Sequence, residues 1–415
     1  MKNSKPIQTL QELTQNLRAD CYYFVSMHSA GDTYYLCSLK SALEQKLQGK
    51  IILIIKPSHK AVVEIFAYED YIICENSIIT KFHKTPQCFE IDSVVSTPTL
   101  GKLFPAHATI LQRDIRSVSL LNWNLQGLDL PLDTKGDLPT NLPKISESLR
   151  AKLDKIAPLK QIILFCPEAN SCECLPPIIF KYECDRLLRQ GYKIIVNCGF
   201  VSSVHNFKSI DYTKHLMYGV YNLNLSLKDT IALALSCAGV ISTRSGFCDI
   251  IAPHCENLTI YYTNFYYWWQ GNLKEINAKH LPKEVLIYDE PIYKRYLRAI
   301  RESLPIRLYK RYATKGFLRK LRLPFTAYFK IYRRHKNGAL QDFGATNLAH
   351  GDFSDKEMSE FIEQELIQTY EYNLGVALQR ACERFWWGGF LLFPFAYLKI
   401  RKEKGKRFMR MSEIL

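Results

Sequence analysis

Long apolar runs that stop abruptly at small-residue turns recur along this chain. Cys21-Tyr22-Tyr23-Phe24-Val25-Ser26-Met27 is nearly continuous in apolar and aromatic residues, as a strand buried on both faces should be. It stops at His28-Ser29-Ala30-Gly31-Asp32, and Thr33 to Lys46 follows with Leu36, Leu39, Leu43 and Leu47 at helical spacing, which predicts a helix over 33–47. Lys50-Ile51-Ile52-Leu53-Ile54-Ile55 reads as a second buried strand, closed by Lys56-Pro57-Ser58-His59, a turn that opens another helix. Two strands joined by one helix predict a parallel, right-handed βαβ unit.

The stretch 85–140 alternates short apolar runs with Pro and Gly and reads as loops facing an acceptor. Asn141-Leu142-Pro143 breaks the chain, a periodic helix runs from Ile145 to Ile156, and the strand pattern then restarts. Gln161 to Cys166 is a buried strand ending at Pro167-Glu168-Ala169-Asn170-Ser171. A helix spans Phe180 to Gln190, with Gly191 as its stop, and a strand spans Tyr192 to Asn197. Ser226 and Asp229 form an acidic variant of a capping box for helix 227–237. That helix feeds strand 238–242, the turn Thr243-Arg244-Ser245-Gly246, and a helix from Phe247 to Ala252. The expected organisation is α/β: one unit over 1–150, a second over 158–290, and a tail over 291–415.

Charge changes the picture only in the tail. The chain has 415 residues, 47% of them hydrophobic, and a net charge of +15. Residues 291–340 hold fifteen Lys and Arg against one acid, Glu302, whereas everything before them is close to neutral. A local basic block points to an anionic partner surface. The tail also repeats itself. Gly316-Phe317-Leu318 followed by Leu323 to Ile331 matches Gly389-Phe390-Leu391 followed by Phe393 to Ile400, each copy aromatic, interrupted by Pro and flanked by Lys and Arg. The apolar run Phe385–Leu398 is too short to span a bilayer but suits a segment lying in the interface over anionic headgroups. The expected contact is therefore an anionic inner-membrane surface through 291–340 and 385–410. The alternative is that these aromatics pack back on the domains and the charges are solvated. No recognised RNA- or DNA-binding motif supports nucleic acid as the partner.

The N-terminus is polar, without the apolar run of a secretory signal. Thirteen scattered Cys then read as reduced, mostly buried thiols, which places the expectation in the cytoplasm, peripheral on the inner membrane. Cys172-Glu173-Cys174 has the wrong spacing for a zinc knuckle, so no metal site is expected.

The candidate chemistry sits at two of the turns. Each follows a buried strand and opens a helix, aiming backbone N–H groups outward where an anion can sit. The turn at 243–246 adds a guanidinium matched to phosphate, so Thr243, Arg244, Ser245, Gly246 and Asp249 are candidate phosphate-binding residues. The alternative is a tight turn with Arg244 paired internally to Asp249. Gly31 of the first turn joins the set, with Pro167, Glu168, Asn170 and Ser171 as a second wall. A dehydrogenase is disfavoured, since no Gly-x-Gly-x-x-Gly follows either first strand.

His28-Ser29-Ala30-Gly31-Asp32-Thr33 with the helix and strand after it resembles the opening of the heptosyltransferase family of bacterial glycosyltransferases, and so does Leu225-Ser226-Leu227-Lys228-Asp229-Thr230 leading through a strand to Ser-Gly at a helix start. The match is to order and local pattern over about 250 residues, and the tail resembles C-terminal extensions on bacterial surface-glycan glycosyltransferases. The resemblance implies a GT-B fold, two Rossmann-like domains facing a cleft. It also implies inverting transfer of a sugar from a nucleotide diphosphate donor, ADP-heptose being the family default, to a lipopolysaccharide, capsule or other surface-glycan acceptor. No cofactor or metal is implied, because the nucleotide sugar is a substrate and Arg and helix dipoles would neutralise the leaving group. Asp32 would be the general base, with His28 as its substitute; the other reading of Asp32 is a helix cap. The second turn departs from the family, which usually places Asp or Asn, then Thr or Ser, then Gly and a later His where this chain has Arg244-Ser245-Gly246-Phe247-Cys248-Asp249. The 167–175 loop also has no counterpart to the family's phosphate-binding Lys. The Arg-Ser-Gly form resembles bacterial fucosyltransferase-like GT-B enzymes as well. Two alternatives are a non-catalytic glycan-assembly protein with this fold and a nucleotide-sugar epimerase.

Overall fold

The structure is a computed structural model. It describes residues 5–18, 20–26, 29–82, 89–90, 102–105, 130–131, 133–169, 172–198, 210–263, 282–287, 293–294, 297–298, 304–313, 366, 369–383 and 389–403. The chain divides into two compact units, 1–175 with 187–286 and 176–186 with 287–415.

The first unit holds two sheets. In the first sheet β1 (Cys21–Val25), β2 (Lys50–Ile55), β3 (Tyr71–Ile73), β4 (Phe89–Glu90) and β5 (Lys102–Pro105) lie in the order β3-β2-β1-β5-β4. All pairs are parallel except β4 with β5. Its helices are α1 (Leu10–Gln15), α2 (Ala30–Ser38), α3 (Lys40–Leu47), α4 (Lys60–Ile65) and α5 (Asn76–Phe82). The apolar runs of β1 and β2 are continuous because both faces are covered. Cys21, Tyr23, Val25, Ile52 and Ile54 join the outer core with Leu13, Ile78 and Ile79. Phe24, Ile51, Leu53 and Ile55 point to the inner core.

The second sheet is wholly parallel. Its strands β6 (Ile162–Cys166), β7 (Lys193–Val196), β8 (Val220–Asn222), β9 (Gly239–Thr243), β10 (Leu258–Tyr262) and β11 (Lys283–Leu286) run in the order β11-β10-β9-β6-β7-β8. Counted from its own first strand, this is the 3-2-1-4-5-6 order of a doubly wound dinucleotide-type sheet. The direction of winding reverses between β6 and β9. The accompanying helices are α6 (Glu147–Leu153), α7 (Pro177–Arg189), α8 (Leu227–Ala234) and α9 (Gly246–Ile251). α7 begins in the second unit and ends in the first. Ile162, Leu164 and Val240 share the inner core with the first sheet, as do Ile250 and Ile251 of α9.

Local signals account for the boundaries. Ser226 is the expected N-cap: its Oγ accepts from Asp229 N at 3.1 Å, and it donates to Asp229 Oδ2 at 2.8 Å, so the Asp229 carboxylate meets the Ser226 hydroxyl and not the backbone N–H that a full capping box would use. Gly191, with φ +87°, sits just past α7 as the stop residue should. One expectation fails: 33–47 is two helices, not one. The first starts at Ala30, because Ser29 and Asp32 cap it, and it ends at Leu39, where φ −96° and ψ 0° break the α geometry.

The described residues of the second unit are largely helical. α10 (Leu304–Ala313) packs on α11 (Tyr370–Glu383), which packs on α12 (Gly389–Glu403). Gly375 of α11 lies directly on the Pro305 backbone, where a Cβ would overlap the carbonyl, so any side chain at 375 would force the two helices apart. No described helix is long and apolar enough to cross a membrane. The second copy of the tail repeat is α12, whereas the first copy, 316–334, lies outside the described residues, as does most of 85–129.

Candidate active site at two abutting helix starts

The carboxyl ends of β1, β6 and β9 carry the site. In doubly wound sheets ligands bind outside the carboxyl ends of the strands at the point where winding reverses, and the loops leaving β6 and β9 meet there. Their backbone is tied down by side chains. Thr243 Oγ1 donates to the Pro167 carbonyl at 2.8 Å, Cys172 Sγ to the Arg244 carbonyl at 3.2 Å, and Thr263 Oγ1 to the Glu173 carbonyl at 2.7 Å. The buried Tyr212 hydroxyl reaches the carbonyls of Pro167 at 3.2 Å and Leu175 at 2.5 Å. Buried carbonyls need such partners, and together these bonds make the 167–175 loop and the 243–246 turn one wall. Pro167 is buried within it and Glu168 half-buried, while Asn170 and Ser171 lie outside the described residues.

The first sheet brings its own helix start to the same place. α2 packs against α9, and their first turns touch through two glycines. A Cβ on Gly31 would lie 2.8 Å from Gly246 Cα and 2.5 Å from Asp249 Oδ2; a Cβ on Gly246 would collide with Gly31 N. Only glycine permits this approach, so the two turns, distant in sequence, form one surface. Asp32 stands in the first turn of α2. Its Oδ2 accepts from Ser29 N at 2.7 Å and from Ser29 Oγ at 2.8 Å, closing the capping box. Ser29, not Asp32, is thus the N-cap, and Asp32 serves the cap from the third helical position. His28 lies outside the described residues.

Arg244 turns inward. It is 4% exposed, and its terminal nitrogens grip Asp249, itself 1% exposed, at 2.7 and 3.0 Å, with a further bond of 2.5 Å to the Ser245 carbonyl. Tyr35 of α2 donates its hydroxyl to Asp249 Oδ1 at 3.1 Å, which links the two sheets through one buried network. Burial pushes the Asp249 carboxyl up, and Arg244 and Tyr35 pull it back. The guanidinium cannot lose its proton, so it favours the charged form of the carboxylate it grips against the cost of burial. The internal pairing set out above as the alternative for Arg244 is the arrangement present, and the side chain does not face solvent.

A second buried chain lies beneath Asp32. Ser26 Oγ and Thr33 Oγ1 are 2.6 Å apart, and Thr33 Oγ1 is 2.7 Å from His59 Nδ1. Burial first, and the charge of Lys56 second, pull His59 down to about 4, so it is neutral at pH 7. Lys56 is half-buried at the end of β2; burial pushes it down and the Asp32 carboxylate draws it back up. Sequence reasoning assigned no role to Tyr35, Lys56, His59 or Tyr212. The Lys-Pro-Ser-His turn after β2 was the one visible signal, and nothing in the local pattern marks the two tyrosines. Among the described residues no three His, Cys, Asp or Glu side chains group as a metal set would.

No protein-family model matches the chain, nor does any curated protein. Solved structures offer distant likenesses. A glycosyl transferase family 9 protein from Veillonella parvula is 13% identical, with 69% of this chain and 89% of that one covered and a TM-score of 0.41. The E. coli heptosyltransferase WaaC with ADP-2-deoxy-2-fluoro heptose is 12% identical, with 64% and 92% covered and a TM-score of 0.37. The iron-containing dodecameric glycosyltransferase TibC from enterotoxigenic E. coli is 9% identical, with 64% and 62% covered and a TM-score of 0.39.

Proposed function

We propose that this protein is a glycosyltransferase that moves a sugar from a nucleoside diphosphate donor to a surface-glycan acceptor such as lipopolysaccharide or capsule, with inversion and without a metal. The carrying observation is the Gly31–Gly246 contact, which supports reading the Asp32 turn and the 243–246 turn as parts of one site. The donor's diphosphate would lie over the α9 start, met by the backbone of Ser245 and Gly246 and walled by the Pro167–Glu168 segment. Arg244 and Asp249 enter this reading as positioning groups, since each occupies the other. Asp32 would take the proton of the attacking hydroxyl. A carboxylate suits that step when it lies within hydrogen-bond reach of the acceptor, and the two Ser29 donors fix its orientation. Acceptors of this kind are assembled at the cytoplasmic face of the inner membrane, which accords with the basic tail at 291–340 and 385–410.

The inward Arg244 favours one other reading, a glycan-assembly protein that keeps the fold without binding a nucleotide. A thermal-shift series with UDP, GDP, ADP and CMP separates the two, because a ligand bound only by the folded state raises Tm. One base is expected to stabilise the protein; no shift with any of the four overturns the transferase reading. With that donor and a purified acceptor, Asp32→Asn is expected to abolish transfer at neutral pH while leaving the nucleotide shift in place. Unchanged transfer removes Asp32 as the base.

A further inference from the structure

α12 is apolar on both its faces, and only one of them is covered. Phe393 is 7% exposed and packs its ring against Tyr397 at 6.3 Å between centroids, on the face turned into the helical unit. On the other face Phe395 is 72% and Leu398 59% exposed. At 100° per residue, Phe395, Leu398, Lys399 and Lys402 fall within one quadrant or slightly more of the helix surface. Lys399, Arg401 and Lys402 are all exposed. A large phenyl ring and a leucine standing in water beside two cations, with Arg401 at the flank, are the reverse of an ordinary solvent face.

We infer that this ridge is the element that inserts into an anionic bilayer surface. Phe395 and Leu398 would enter the headgroup–acyl boundary, and Lys399, Arg401 and Lys402 would reach anionic headgroups along their flexible stems. Charge complementarity selects the occupant. Residues 291–340 of the same unit carry fifteen cations and a single acid, so a second copy of this unit would meet like charge, whereas an anionic lipid surface meets opposite charge. α12 has 15 residues and does not span, so the contact is peripheral. The inference deepens the membrane-surface part of the proposed function and is independent of nucleotide binding.

The test uses the full-length protein, vesicles of phosphatidylcholine alone or mixed with phosphatidylglycerol, and three variants: F395S/L398S, K399E/K402E and their combination. Co-sedimentation is expected to show binding to the mixed vesicles, weakening with salt and absent from pure phosphatidylcholine. Each double variant is expected to lower the partition coefficient about tenfold or more, with circular dichroism and the nucleotide-dependent thermal shift unchanged. The charge variant alters only exposed side chains, so it decides the matter if F395S/L398S fails to fold. Wild-type partition retained by K399E/K402E, or equal binding to both vesicle types, overturns the inference. A shift from dimer to monomer on F395S/L398S, seen by light scattering, also overturns it in favour of a second copy as occupant. Loss of vesicle binding with an intact nucleotide shift concerns this ridge alone, and the converse concerns the transferase reading alone.

Discussion

Replacing Arg244 by Met tests the buried network directly. The wild-type pair is gripped at two nitrogens, 2.7 and 3.0 Å, with both partners less than 5% exposed. Met fills much of the volume but leaves the Asp249 carboxylate with the Tyr35 hydroxyl and no cation. Stripping one partner from a buried ion pair costs about 3–5 kcal/mol, because the remaining charge stays desolvated or must take up a proton. For a unit of this size each kcal/mol lowers Tm by roughly 2–4 °C, so a fall on the order of 10 °C is expected. R244M/D249L removes both charges and is expected to recover most of the loss. Differential scanning calorimetry with urea titration at pH 7 measures wild type, R244M, D249L and R244M/D249L, the four corners of the cycle. The reasoning is refuted if R244M costs less than about 1 kcal/mol, or if the double variant costs the sum of the two singles. The same double variant sorts the role of Arg244. A positioning residue leaves the nucleotide shift largely intact once the fold is restored, whereas a phosphate contact abolishes it in a fully folded protein.

Gly31→Ala places a methyl 2.5 Å from Asp249 Oδ2 and 2.8 Å from Gly246 Cα. It is expected to destabilise by about 1–3 kcal/mol through overpacking, and an unchanged Tm would show that the two turns do not touch. His59 supplies a pH signature. Unfolded, it protonates near pH 6.5; folded, it is held to about 4. As pH falls the unfolded state binds the proton first, so this contribution is fully present above pH 6.5 and is lost between 6.5 and 4, to about 3 kcal/mol. His59→Gln should flatten that part of the stability–pH curve, and an identical slope in the variant removes His59 as its source.

Much of the fold was legible in local pattern. The strand runs at 21–25, 50–55, 162–166 and 239–243 are apolar because helices cover both faces of each sheet. The Ser226 cap on Asp229 N and the stop at Gly191 are local features within a few residues, which sequence spacing displays directly. The boundary that was misread, the start of α2, turned on whether Asp32 reaches back to Ser29, and that also was written in the Ser-x-x-Asp spacing.

The sequence by itself determined two things: which segments become buried strands, and which turns follow them. Both depend on the side-chain period and on backbone groups within a few residues of each other. Only the tertiary structure decided what those turns do. The abutment of Gly31 on Gly246 and the bond from Tyr35 to Asp249 join positions more than two hundred residues apart, and no local period records them. Arg244 was the sharpest case. A guanidinium after a buried strand serves a phosphate or a neighbouring carboxylate equally well by charge, and the choice fell to desolvation: once packing had excluded water from around Asp249, the nearest cation had to stay with it.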